Sequence, residues 1–103
     1  AASLVRLMAF AQQDTRWGPA LIGSLPRGGE GTLRRRFLGS ARKRVRAKTG
    51  YINGVSALAG RVVSRRGRVY VFALLMNGGE LTAARNTQDR IVALLASGAA
   101  DAT

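Results

Sequence analysis

Cysteine and histidine are both absent from this 103-residue chain. Without them, a zinc site of the usual kind and a histidine-based catalytic triad are excluded, and we expect no metal ion and no cofactor. The lack of cysteine leaves the redox compartment open. Any chemistry must rest on Ser, Thr, Lys and Tyr side chains and on the five carboxylates.

Long apolar runs are also lacking. No stretch approaches the roughly 18 apolar residues that a membrane-spanning helix requires, so no transmembrane segment is expected. Residues 1–11 lack the positive head and the continuous apolar stretch of a signal peptide. Hydrophobic residues nevertheless make up 47% of the chain, which is too many for a disordered tail and enough for one small domain with one core.

Negative charge is scarce: five acidic residues stand against 17 basic ones, and the net charge is +12. Eight of the basic residues lie between Arg34 and Lys48, a cluster that favours a surface for nucleic acid or another polyanion. The cluster contains one aromatic residue, Phe37, whereas nucleic-acid-binding surfaces usually interleave stacking aromatics with the charge. We therefore expect no nucleic acid partner and interpret the cluster as a solvated or anion-attracting face, with a basic polyanion- or nucleic-acid-binding module as an alternative.

The N-terminal part predicts one helix and then a long loop. The helix, with Ser3 as its N-cap, is indicated by apolar residues at helical spacing: Leu4, Leu7, Met8 and Ala11. Residues 12–30 contain repeated Gly and Pro and predict a loop packed through Leu21, Ile22 and Leu25. Residues 31–37 predict a short helix.

From Val45 the apolar period changes to two, which predicts a strand with Val45 and Ala47 on one face. Asn53-Gly54 predicts a turn. Further strands are predicted over residues 55–64, where Gly60 permits a close approach, and over residues 68–76. The last strand is apolar throughout, so helices should cover both faces of the sheet.

A final helix is predicted over residues 82–97, with its core-facing stripe formed by Ala84, Gln88, Ile91, Val92 and Leu95. Three strands and two main helices cannot enclose a sheet that is buried on both faces. The prediction is therefore an α+β chain that forms the end of a larger domain.

One segment resembles a known family. Arg46-Ala47-Lys48-Thr49-Gly50, followed by Gly54-Val55-Ser56-Ala57-Leu58-Ala59-Gly60, is similar to the third active-site segment of penicillin-binding D-alanyl-D-alanine carboxypeptidases. The similarity is to the class C low-molecular-mass carboxypeptidase/endopeptidases and extends over residues 20–95. It implies the C-terminal part of the serine β-lactamase/penicillin-binding transpeptidase-like fold, with residues 1–103 forming the C-terminal segment of one D,D-peptidase domain.

The resemblance also implies roles for four residues. Lys48 would be catalytic, as an electrostatic and proton-relay partner of the nucleophile, and the Tyr51 N–H would complete the oxyanion hole. Thr49 would hydrogen-bond the substrate carboxylate, and Gly50 would leave room for a neighbouring helix, so that all four residues bind substrate. The family commonly has Thr where Tyr51 stands. The alternative for Lys48-Thr49-Gly50 is an ordinary strand end.

The nucleophile of the family is missing. Its other motifs are Ser-x-x-Lys at the start of a helix and Ser-x-Asn on a loop, and no Ser-x-Asn occurs here. The one Ser-x-x-Lys string, Ser40 to Lys43, lies just before Lys48, whereas the family places its nucleophile far upstream. We interpret Ser40 as a chance match and expect both motifs in the remainder of the domain, outside this chain.

The resemblance finally implies a function. It is that of a serine hydrolase that acts on peptidoglycan peptides ending in D-Ala-D-Ala through an acyl-serine and is acylated by β-lactams. Such an enzyme is exported to the periplasm or extracellular envelope, with its signal peptide upstream of this segment. We expect the 103 residues alone to be inactive. A non-catalytic relative of the fold stays an alternative, and carboxypeptidase, endopeptidase and transpeptidase activity are not distinguished.

Overall fold

A computed structural model describes residues 2–14, 16, 18–37, 39 and 41–101 of the chain. Within these elements, some side chains lie outside the description: Ala2, Ser3, Leu4, Met8, Ala11, Gln12 and Ile52. The elements in chain order are α1 (Ala2–Gln13), α2 (Gly18–Ser24), a 3₁₀ helix (Gly31–Leu33), β1 (Val45–Ile52), β2 (Val55–Val63), β3 (Val69–Asn77) and α3 (Leu81–Ser97). None of the helices described is long and apolar enough to cross a membrane.

The three predicted strands form one antiparallel sheet in the order β1-β2-β3, so β1 and β3 are its edges. β1 and β2 are joined at Asn53-Gly54, whose φ angles of 52° and 78° suit the tight hairpin turn that this dipeptide favours. β2 and β3 are joined by residues 64–68, where the Ser64 N–H donates to the Arg68 carbonyl at 2.8 Å. Local turn chemistry thus determines both hairpins.

Helices cover opposite faces of this sheet. Val45 and Ala47 of β1 share the face under α3, as predicted, and both are completely buried. Their core cluster also contains Leu33, Leu58, Val62, Phe72, Val92 and Ala96. The other face carries α2, whose buried Ile22 packs with Val71 of β3, and α1 packs against α2 and β3. The predicted α+β class is confirmed.

The prediction of one long loop over residues 12–30 is wrong in part, because α2 occupies its centre. Gly18-Pro19 opens this helix, since proline is tolerated in a first turn where its missing N–H has no helical partner. The expected packing through Leu21, Ile22 and Leu25 is confirmed. The helix predicted over residues 31–37 is shorter and consists of the 3₁₀ turn Gly31–Leu33.

The ends of the sheet and of α3 match the predictions within one residue. α3 buries Gln88 and Val92 of the predicted stripe and ends at Gly98, which has a φ of 86°. β3 is less covered than expected: Val69 is 41% exposed and Leu75 is 47% exposed on the face opposite α3. The helix predicted around Leu4 is confirmed as α1, whereas the proposed Ser3 cap and the Leu4 and Met8 side chains lie outside the described residues.

Candidate active site

β1, the strand that carries Lys48 to Tyr51, is anchored on its outer side near its start. The Ala47 N–H donates to the Pro26 carbonyl at 3.0 Å, and an isolated bridge joins Arg27 to Arg46. On its inner side β1 pairs with β2 along its full length. The segment before the strand therefore closes the first part of the outer edge.

Beyond Ala47 the outer edge of β1 is open. Hydrogen-bonding direction alternates along an antiparallel strand, so the backbone groups of Thr49 and Tyr51 point the same way as the Ala47 N–H, away from β2. No other strand of the described residues pairs with this side of β1. The Tyr51 N–H therefore faces an open edge, and its role as an oxyanion donor stays a prediction.

The four predicted site residues meet at this edge rather than on one face. Lys48 and Gly50 lie on the face of α2, and Thr49 and Tyr51 lie on the face of α3, following the strand alternation. The Lys48 Nζ donates to the Thr49 carbonyl oxygen at 2.9 Å, which holds the ammonium group beside the open backbone. Thr49 is half-buried, whereas the Tyr51 side chain is 53% exposed.

Two glycines show which side of β1 is crowded. A Cβ at Gly60 would lie 2.6 Å from the Ala47 Cα and closer still to the Arg46 carbonyl oxygen, which confirms the predicted close approach. A Cβ at Gly50 would meet only the Ala57 Cβ, at an ordinary 3.7 Å. The space above Gly50 is therefore open among the described residues, and its role as room for a helix stays a prediction.

The surroundings of Lys48 on this face are cationic. Arg46 precedes it on the same face, and Arg61 lies opposite Arg46 in the register. Burial lowers the pKa of Arg61, and the Arg46 charge adds to the effect, although a guanidinium stays protonated. An anion that reaches the edge beside Lys48 therefore gains from several positive charges.

Arg46 also has a structural role, which could not be distinguished in the sequence from that of the other basic residues of the cluster. Its Nη1 donates to the carbonyl oxygens of Gly23 and Leu25, each at 3.0 Å, and so satisfies acceptors at the C-terminal end of α2. Arg44 similarly donates to the Ser64 carbonyl at 2.7 Å. The cluster of residues 34–48 is therefore not one uniformly solvated face.

A buried polar network supports the β1–β2 hairpin beside Tyr51. The completely buried Gln88 donates through Nε2 to the carbonyl and hydroxyl oxygens of Ser56, at 3.1 and 3.3 Å, and Ser56 pairs with Tyr51. The Gln88 Oε1 accepts a hydrogen bond from Arg36 Nη2 at 3.1 Å, and Arg36 forms an ion pair with Asp89 at 2.5 Å. Sequence reasoning missed this network, and its signal was a glutamine within the apolar stripe of α3.

Ser40 lies outside the described residues, so its interpretation as a chance match stays a prediction. The structure contains the α+β sheet and the Lys-Thr-Gly strand that the sequence indicated, and it adds that the backbone donors of this strand face an open edge. The role of this segment as a substrate-binding strand stays a prediction.

Comparison with known proteins establishes the family. Residues 1–98 match the D-Ala-D-Ala carboxypeptidase 3 (S13) family, and the chain belongs to this family. The chain is also 43% identical over 83 residues to Carboxypeptidase DacB of Mycolicibacterium smegmatis. This match covers 75% of the chain and 18% of that relative, so the chain spans less than a fifth of the relative's length. The family predicted from the sequence is thus confirmed.

Proposed function

We propose that this chain is the C-terminal segment of a serine D-alanyl-D-alanine carboxypeptidase/endopeptidase and supplies the strand that holds the substrate. The observation that carries the proposal is the open edge of β1, which presents the Tyr51 N–H and beside which the Lys48 ammonium is held at 2.9 Å from the Thr49 carbonyl oxygen. Family membership supports the reaction class. A peptidoglycan substrate places the enzyme in the cell envelope, to which it would be exported.

In this proposal an extended peptide ending in D-Ala-D-Ala lies along the open edge of β1. Its terminal carboxylate accepts hydrogen bonds from Thr49 and is attracted by Lys48, because charge-assisted hydrogen bonds are the stronger kind. The scissile carbonyl points at the Tyr51 N–H, with the rigid hairpin behind it keeping the donor in place before the reaction. β-Lactams, which also carry a carboxylate beside a reactive amide, would occupy the same edge.

The serine that attacks this carbonyl comes from the remainder of the domain. Its hydroxyl passes its proton to a basic group of the site, through the relay in which Lys48 takes part, as the oxygen bonds to the carbonyl carbon, and the resulting oxyanion is stabilised at the Tyr51 N–H. Collapse of this intermediate releases the terminal D-Ala with a proton on its amine and leaves an acyl-serine that water hydrolyses. Lys48 assists by electrostatics and proton relay. The open space above Gly50 suits a helix that carries the serine.

Labelling with a fluorescent penicillin tests the proposal. We expect a covalent adduct on the intact domain but none on the 103-residue chain alone. In the intact domain, Lys48→Ala should lower the acylation rate about 10²-fold or more, as expected for a preorganised electrostatic group. The matched control is Lys43→Ala, which removes the other lysine before β1 begins and should leave acylation near the wild-type rate.

Two results would contradict this assignment. An adduct on Ser40 would place the nucleophile in this chain, and wild-type acylation by Lys48→Ala would remove Lys48 from the site. A folded intact domain that is not labelled at all would instead indicate a non-catalytic relative.

A further inference from the structure

The end of the sheet remote from Tyr51 collects positive charge from two separate segments. The Val63 N–H donates to the Arg44 carbonyl at 2.9 Å, so that the start of β1 lies beside the β2–β3 turn. We call this surface the cationic end, and it comprises Arg42, Lys43, Arg44, Arg65, Arg66 and Arg68. These segments are 20 residues apart in sequence, and only the antiparallel pairing brings them together.

The cationic end is accessible. All six side chains are exposed except that of Arg44, which is half-buried. Gly39, Arg42, Lys43 and Arg44 line an open cavity of about 440 Å³.

Carboxylates offset these cations only in part: after the hydrogen bonds from Tyr70 and Ser64, the charges of Arg68 and Arg66 also lower the pKa of Asp101. Asp101 is the acidic residue that contacts this end, and its carboxylate accepts hydrogen bonds from the Tyr70 hydroxyl and from Ser64 Oγ. Arg68 reaches only the backbone oxygen of Asp101, at 3.0 Å. Among the described residues, none of the six cations forms a side-chain ion pair.

We propose that the cationic end binds the surface of a membrane rich in anionic phospholipids, through contacts between guanidinium groups and lipid phosphates. Arginine suits this partner because its planar fork matches a phosphate group. The partner choice rests on the envelope location in the proposed function.

The side chains of the cationic end favour a lipid surface over a single nucleic acid strand. Its cations stand on turns at the edge of the fold, whereas a single strand requires a groove with exposed aromatic side chains on which bases stack. The aromatic residue at this end, Tyr70, is bonded to Asp101 and covered by the Arg68 guanidinium, 5.7 Å from its ring centre. It is therefore not free to stack.

Membrane binding at this end leaves the proposed substrate edge accessible. Tyr51 follows Val45 by six residues on β1, which corresponds to about 20 Å at the usual rise of a strand. Bound at its cationic end, the protein would therefore hold the open edge of β1 away from the lipid and toward the cell wall.

Flotation of the purified protein with lipid vesicles tests the proposal. We expect binding to vesicles of phosphatidylglycerol and phosphatidylcholine, none to phosphatidylcholine alone, and release as salt screens the charges. A basic residue near an anionic surface strengthens binding about fivefold, so the double variant Arg65→Gln/Arg66→Gln should bind roughly 30-fold more weakly. The matched control, Arg85→Gln/Arg90→Gln, removes the same amount of charge from the exposed side of α3. Its vesicle affinity should stay within about threefold of wild type, because salt screens charges that lie far from the membrane surface.

Three outcomes would overturn the proposal. The first is no binding to the anionic vesicles. The second is an equal loss of vesicle affinity in the two double variants, with circular dichroism showing that both are folded. The third is tighter binding to duplex DNA than to vesicles at the same salt concentration. Labelling by penicillin is measured separately, so a failure of vesicle binding is distinguishable from a failure of the proposed enzymatic function.

Discussion

Replacing Gly60 with alanine tests how closely β1 lies against β2. Ala47 faces Gly60 in a pair without mutual hydrogen bonds, which is where antiparallel strands bring their side chains closest. The added Cβ would lie 2.6 Å from the Ala47 Cα and 2.8 Å from its Cβ, well inside the roughly 3.5–4.0 Å at which carbon atoms pack. Because these atoms include backbone, β1 itself must shift.

The expected cost follows from this clash. Overpacking of a filled core costs about 1–3 kcal/mol, and we expect the upper part of that range, about 2–3 kcal/mol, because no rotamer change relieves the contact. For a folding unit of about 100 residues, this cost corresponds to a melting temperature roughly 10–20 °C lower. Ala47 directly precedes Lys48, so the shift should also slow acylation in the intact domain.

Urea denaturation followed by circular dichroism measures the effect on the free energy of unfolding. Gly50→Ala is the matched control on the neighbouring strand, because its Cβ would find ordinary contact at 3.7 Å, and we expect a change within about 0.5 kcal/mol. If Gly60→Ala were as stable as wild type, or if both variants lost the same stability, the close approach described here would be refuted.

Two further predictions concern Asp101 and Gln88. The pKa of Asp101 is lowered, and the hydrogen bond from Tyr70 is the largest cause. The Asp101 carboxylate therefore stabilises the fold above the ordinary carboxyl pKa of about 4, and this stabilisation is lost as the pH falls through the lower pKa of the folded state. Asp101→Asn should therefore flatten the loss of stability in acid, and an unchanged pH profile of urea denaturation would contradict this. Gln88→Leu removes the amide that donates hydrogen bonds to Ser56 and should lower the free energy of unfolding by about 1–3 kcal/mol. The control, Asn86→Leu on the exposed face of α3, should change it by less than about 0.5 kcal/mol. Equal losses of stability for the two variants in thermal melts would argue against the Gln88 network.

Much of the sheet could be predicted from the sequence because its signals are local. Alternating side chains from Val45 onward indicate which face is buried, and Asn53-Gly54 supplies the positive φ angles of a tight turn. The Lys48-Thr49-Gly50 segment and its flanks also carried enough specific residues to indicate the family. Each of these features depends on neighbours within a few positions.

α2 was missed because the local signal at its start, Gly18-Pro19, has two interpretations. Gly18-Pro19 opens a helix or interrupts one, and the distinction depends on whether the following residues have something to pack against. Here Ile22 packs with Val71 of β3, and Arg46 bonds the carbonyls at the end of the helix. Tertiary contacts thus decided a choice that local propensity left open.

The sequence by itself determined the strands, their turns and the family of the Lys48 to Tyr51 segment, because periodicity and short motifs are written in adjacent residues. Only the tertiary structure decided that the backbone of this segment faces an open edge, that Gln88 is buried against Ser56, and that Arg42 and Arg66 lie at the same end of the sheet. These properties depend on strand order and on pairing between distant segments, which single-chain periodicity does not encode.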